Sequence, residues 1–276
     1  MIDDRLGSIE YDETGEGPTV VLVPGSCSTG AAWRPLITQW QGAYRCVTTS
    51  LLGYGRTAER RGPDNNDIAL EADIIEAVIH RAGAPVHLVG HSFGGLSALA
   101  VALRRPELLQ SLTILESPAP DILKACRERA HYAAFRGMTE LYFNAYRSGR
   151  TDAIQLMIDF YGGDGTFAAW PQRVRDYAIA TTEVNMRDWA CAYDFALTPA
   201  MLARVTTPTL LVYGETSHPA PKRANELLGW SMPDADIMML GDAAHFMIAT
   251  HPRQLAALLG RHFAGARSRL MAGSPA

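Results

Sequence analysis

The feature that most restricts how this chain can fold is the run VHLVGHSFGG at residues 86–95. A short apolar stretch ends on Gly90-His91-Ser92-Phe93-Gly94, and apolar residues at helical spacing (Leu96, Leu99, Ala100, Leu103) begin at once. Val86, Leu88 and Val89 read as a buried parallel strand, so the five residues form a sharp strand-to-helix turn. Such a turn pushes its central side chain out at the top of a sheet, and small residues two before and two after it leave room for the backbone. It also sets the first free N–H groups of the helix beside the serine hydroxyl, where they can stabilise developing negative charge. Ser92 is therefore a candidate nucleophile; the alternative is an ordinary helix N-cap.

The rest of the chain supplies the context this turn requires. TVVLVPG (19–25), CVTTS (46–50), SLTILES (111–117), TPTLLVYGE (207–215) and ADIMML (235–240) read as further strands, and SIEYDE (8–13) alternates loosely like another. Helical patterns separate them: one begins near Trp33 or Arg34. A second runs from a cap at Asn66 or Asp67 to about Arg81 and is stopped by Gly83, a third reaches about Leu228, and a closing helix spans 251–263. Strands alternating with helices predict an α/β fold, a mostly parallel, doubly wound sheet covered on both faces. From Pro118 to Pro199 the pattern changes to successive helical stretches rich in aromatics, such as Tyr142, Phe160, Tyr161, Trp170 and Trp189. The reading is a core of 1–117 and 200–264, a helical cap inserted at 118–199, and a frayed tail over 265–276.

Composition narrows the function classes. With 276 residues, 47% of them hydrophobic, the chain can bury one large core. A net charge of −4 and no Lys/Arg run argue against a nucleic-acid surface. No apolar segment reaches membrane-spanning length, and the start MIDDRLGSIEYDE lacks the basic and apolar regions of a secretory signal. The four cysteines, Cys27, Cys46, Cys126 and Cys191, form no metal-binding or CxxC spacing, so reduced thiols and a cytoplasmic location are expected.

Taken in order, strand-PGS…W, GHSFGG, a helical insert, LLVYGE and GDAAHF resemble the α/β-hydrolase superfamily over residues from about 8 to 263. The resemblance implies a serine hydrolase with His245 as the base, in the loop after the last strand, since serine first and histidine last is the order such enzymes use. An imidazole, with an ordinary pKa of about 6.5, is a workable base near neutral pH. The other histidines lack that context, and His91 is expected to pack beside the turn. The resemblance further implies an oxyanion hole from the backbone N–H of Phe93 and that of Ser26 or Cys27. This chain departs from the family there, with Pro24 where histidine is common, and Cys27 is expected to be a small wall residue.

The third member of the constellation is open. The family's usual acid position, three residues after Gly214, is Ser217 here. Glu116, which ends the preceding strand, is the first candidate, because some members resemble this chain in placing the acid there; Glu215 is the alternative, and Asp242 reads as a loop residue. A carboxylate in that role holds the imidazole tautomer and stabilises the imidazolium. The expected activity is hydrolysis of small or medium carboxylic esters or lactones through an acyl-enzyme. No cofactor or metal is needed, a small-molecule substrate is the only partner called for, and a homo-oligomer is possible without being indicated. C–C bond hydrolysis, cofactor-free perhydrolysis and a non-catalytic, ligand-binding role are the alternatives. Haloalkane dehalogenation needs a carboxylate where Ser92 stands.

Overall fold

The computed structural model describes residues 1–4, 7–62 and 65–272. Its strands are β1 (Ile2–Asp4), β2 (Gly7–Ile9), β3 (Asp12–Thr14), β4 (Thr19–Val23), β5 (Arg45–Thr48), β6 (Val86–His91), β7 (Leu109–Leu115), β8 (Thr209–Gly214) and β9 (Ala235–Leu240). The helices of the first half are α1 (Arg34–Gln39), α2 (Ala69–Ala82) and α3 (Phe93–Arg104). Seven more lie between β7 and β8: α4 (Pro120–Ala125), α5 (Arg129–Arg147), α6 (Ile154–Gly162), α7 (Thr166–Ala169), α8 (Gln172–Ala180), α9 (Thr182–Asp194) and α10 (Pro199–Leu202). Then follow α11 (Pro219–Trp230), α12 (Met247–Thr250) and α13 (Pro252–Ala272).

Among the described residues seven strands form one sheet in the order β3-β5-β4-β6-β7-β8-β9, parallel except for β3. Parallel neighbours need long crossovers, and the helices supplying them cover both faces. Alternation along β4 divides the core accordingly: Val21 and Val23 join the cluster with α2, α3 and the helical insert, while Val20 and Leu22 join the one with α1, α12 and α13. The central strand β6 is buried at every position, which is why its sequence is a continuous apolar run broken only by His87 and the turn. Each fully buried Val, Leu or Ile here contributes about 1.5–3 kcal/mol relative to exposure.

Two local expectations change. The alternating run at 8–13 is two short strands, because Glu10 turns away from the ladder: its N–H donates to Thr57 Oγ1 (3.0 Å) and its Oε2 accepts from the Arg56 N–H (2.8 Å). The tail expected to fray from 265 is instead helix, α13 continuing as far as Ala272, while 273–276 lie outside the described residues. Helix α2 begins where Asp67 Oδ1 accepts the Ala69 N–H and ends at Gly83, whose φ of 89° lets its N–H turn back to Ile79. No helix among the described residues is long and apolar enough to cross a membrane.

Candidate active site

The C-terminal ends of β4, β6, β7 and β9 bring the site together, at the edge where ligands bind in open α/β sheets. Ser92 follows β6 with φ 52° and ψ −128°, a conformation that costs a non-glycine residue on the order of 1–3 kcal/mol. The turn is tight enough that a Cβ on Gly90 would collide with the Gly94 carbonyl, and one on Gly94 with the Pro24 carbonyl. Sequence and geometry meet here: glycine is required because three backbone segments touch.

His245, in the loop after β9, is 2% exposed, and its Nδ1–H donates to Glu116 Oε1 at 2.9 Å. Since a carboxylate only accepts, that bond fixes the tautomer and leaves Nε2 as the basic nitrogen. Glu116 is fully buried at the end of β7 and holds φ 46°. Its Oε2 accepts from the Gly214 N–H (3.0 Å) and the Ser217 hydroxyl (2.5 Å), so the carboxylate is held on both oxygens. Glu215 is placed differently. It is exposed, and its Oε2 accepts the Asp242 N–H at 3.0 Å, bracing the loop before His245 without reaching the imidazole. No hydrogen bond joins Ser92 to His245 among the described residues; such bonds tighten when substrate arrives.

His91 does more than pack. Its Nε2–H donates to the His245 carbonyl at 2.8 Å, and burial pushes its pKa down to about 3, reinforced by neighbouring His245, so it is a neutral strut. Tyr161 of α6 lies over the His245 ring, centroids 4.1 Å apart.

Ser26, Cys27 and Phe93 all line one cavity with Ser92 and His245; among the described residues the N–H groups of Ser26 and Phe93 reach no backbone acceptor, while that of Cys27 faces the Tyr54 hydroxyl oxygen. Cys27, in the loop after β4, sits at φ 56°, in the left-handed region. Burial pushes its thiol up to about 12, with Asp188 adding to the effect, so it is no nucleophile.

The cavity has a volume of about 380 Å³, within the range of small-molecule sites. Its walls are largely apolar and include Met157, Ile158, Trp170, Val174 and Trp189 from the helical insert. The aromatics of that insert divide: Phe135 and Tyr142 are core, whereas Tyr161, Trp170 and Trp189 face the cavity.

A buried ionic cluster beneath this wall was not anticipated from the sequence. Asp188 of α9 accepts from Ser26 Oγ (2.6 Å), Tyr54 OH (2.6 Å) and Arg61 Nη1 (2.7 Å). Arg61 also pairs with Glu59 (2.8 Å) and lies 3.6 Å from Glu71. All three contacts of Asp188 are donors, which suits an ionised carboxylate, although burial raises its pKa against the pull of Arg61. Burial likewise pushes Glu71 up to about 8, so it is neutral near pH 7. The cluster ties the Ser26 loop to the helical insert. The only signal for it in the sequence is a carboxylate on the apolar face of α9.

The chain is 28% identical over 272 residues to the pimeloyl-(acyl-carrier protein) methyl ester esterase of Aeromonas salmonicida (strain A449), covering 94% of this chain and 100% of that protein. It is 24% identical over 262 residues to the 2-hydroxy-6-oxo-6-(2'-aminophenyl)hexa-2,4-dienoic acid hydrolase of Metapseudomonas resinovorans, covering 91% and 87%. Among solved structures it superposes on a thermophilic esterase from Thermogutta terrifontis with a TM-score of 0.75 at 19% identity, covering 95% of this chain and 96% of that one. The family model for the alpha/beta hydrolase family matches residues 20–258, and the chain belongs to that family.

Proposed function

We propose that this hydrolase cleaves small or medium uncharged carboxylic esters or lactones through a Ser92 acyl-enzyme. The observation that carries the reading is the 2.9 Å bond from His245 Nδ1–H to Glu116, set against the cavity that Ser92 also lines. His245 Nε2 takes the Ser92 proton as the hydroxyl attacks the carbonyl. The N–H groups of Phe93 and of Ser26 or Cys27 hold the oxyanion. The protonated imidazole releases the alcohol, and water deacylates the serine by the same path. Glu116 orients the ring and stabilises its cation. The helical insert acts as a cap whose apolar face receives the acyl or alcohol part.

Substrate charge favours esters over the acid substrate named for the Metapseudomonas relative. No Lys or Arg lines the cavity among the described residues, while Asp188 does, so a substrate carboxylate would be buried without a counter-ion. The methyl ester named for the Aeromonas relative fits the preference for an ester bond.

The test is labelling by a fluorophosphonate, followed by a panel of p-nitrophenyl esters and lactones. Rapid labelling that Ser92→Ala abolishes, with turnover of uncharged esters, is expected. A folded wild type that neither labels nor turns over any ester would replace this reading with a ligand-binding one.

A further inference from the structure

The wall of the cavity contains a polar side chain that the reaction does not use. Asn185, Asp188, Trp189 and Ala192 all line the cavity from α9, spaced i, i+3, i+4 and i+7, so one face of this helix forms that wall. Asp188 is fully committed to Ser26, Tyr54 and Arg61. Asn185 is not. It is 2% exposed, its backbone N–H is used within the helix (to the Thr181 carbonyl, 3.0 Å), and its Oδ1 has no partner among the described residues. The Tyr161 hydroxyl, on α6 and also lining the cavity, is a second buried polar atom without a partner.

A carboxamide oxygen buried without a partner carries an uncompensated desolvation cost, and a substrate group that pairs with it recovers that cost on binding. We propose that Asn185 is a specificity-determining residue that reads an uncharged amide on the substrate, making amide-bearing esters or lactones the preferred class. The inference rests on the esterase reading above and deepens it.

The chemistry of the carboxamide selects this group. It offers a donor and an acceptor side by side, and the complement that satisfies both is another amide, with an N–H for Oδ1 and a carbonyl for Nδ2. A hydrocarbon chain leaves both unpaired. A carboxylate can use only the donor, and it would meet Asp188 one helical turn along the same face. A cation would meet Asp188 already paired with Arg61 and bonded by Ser26 and Tyr54, and Asn185 could offer it only Oδ1 and leave Nδ2 unused. The Tyr161 hydroxyl, on α6 and beside Trp189 of α9, supplies a further donor in the same cavity.

The experiment compares two p-nitrophenyl esters of matched shape, the 3-acetamidopropanoate and the 5-methylhexanoate, in wild type, Asn185→Leu and Asn185→Ser. The readout is the ratio of their kcat/KM values. Wild type is expected to favour the acetamido ester, and the ratio is expected to fall about 10- to 100-fold in both variants, the effect of losing one or two buried hydrogen bonds. A wild-type ratio at or below one overturns the inference, as does a ratio left unchanged by both substitutions. Those results, obtained with an enzyme that still hydrolyses esters, would leave the esterase reading standing. A wild type that neither labels with fluorophosphonate nor cleaves either ester overturns both.

Discussion

Ser217 donates its hydroxyl hydrogen to Glu116 Oε2 at 2.5 Å, while the other oxygen of the same carboxylate accepts from His245. The serine at the position where the family usually carries its acid thus hydrogen-bonds a carboxylate that comes from the neighbouring strand. β7 and β8 are adjacent and parallel, with Leu115 in register with Val212, so the ends of both strands reach the same side of His245. A carboxylate can enter from the end of either strand, and here position 217 supplies a hydrogen bond to the one from β7.

This arrangement separates the two candidate acids. Glu116→Gln is expected to lower kcat by about 10⁴, since the amide can present the wrong group to Nδ1. Glu215→Gln should stay within a few-fold of wild type, because Glu215 only braces the Asp242 N–H. Steady-state kinetics on one chromogenic ester decides this, and the opposite ranking would sink the assignment.

Ser217→Ala leaves Glu116 Oε2 with the Gly214 N–H alone. A hydrogen bond to a charged group contributes about 1.5–3 kcal/mol, so kcat should fall about tenfold with little change in KM. Restoring an acid at the usual position is the sharper test: Glu116→Ala/Ser217→Asp should recover at least about tenfold over Glu116→Ala alone. No recovery would mean that position 217 cannot present a carboxylate to His245.

His91 gives a pH signature. Its folded pKa, about 3, is below the ordinary 6.5 because the ring is buried, so between those values the unfolded chain binds the extra proton. Stability contributed by neutral His91 is therefore complete above about pH 6.5 and is lost as pH falls toward 3, by on the order of 5 kcal/mol in total. His91→Gln keeps a donor for the His245 carbonyl and cannot titrate. Urea unfolding from pH 4 to 7 should show a flatter acid limb in the variant; parallel curves would count against a neutral buried His91.

The cluster below the cavity titrates in the opposite sense. Glu71, raised to about 8 by burial despite Arg61, is protonated when folded and ionised when unfolded between about pH 4.5 and 8. Wild-type stability should accordingly fall as pH rises through that window. Glu71→Gln mimics the neutral form, and its stability relative to wild type should rise by about 1 kcal/mol or more from pH 5 to 8. Arg61→Met, which strands Asp188 and Glu59 without their cation, should cost about 3–5 kcal/mol. Equal pH dependence of wild type and Glu71→Gln in differential scanning calorimetry would show that Glu71 is ionised in the fold.

The parts legible in the sequence are those set by neighbours along the chain. The turn at Gly90–Gly94, the buried strands and the helix stop at Gly83 follow from residue size, periodicity and permitted φ, all local properties. The order of Ser92 and His245 and the change of pattern at Pro118 were equally readable. The split of the 8–13 strand was not, because the partners of Glu10 lie more than forty residues away in Thr57 and Arg56.

What the sequence by itself determined is thus the scaffold and the two residues that stand on fixed turns of it. Only the tertiary structure decided that Glu116 and not Glu215 reaches His245, that Ser217 donates to Glu116, that His91 donates to the His245 carbonyl, and that Asp188 of the helical insert holds Ser26. The reason is physical: a side chain's role as acid, strut or wall depends on which donors and acceptors surround it. Those partners come from strands and helices that are neighbours across the sheet and not along the chain.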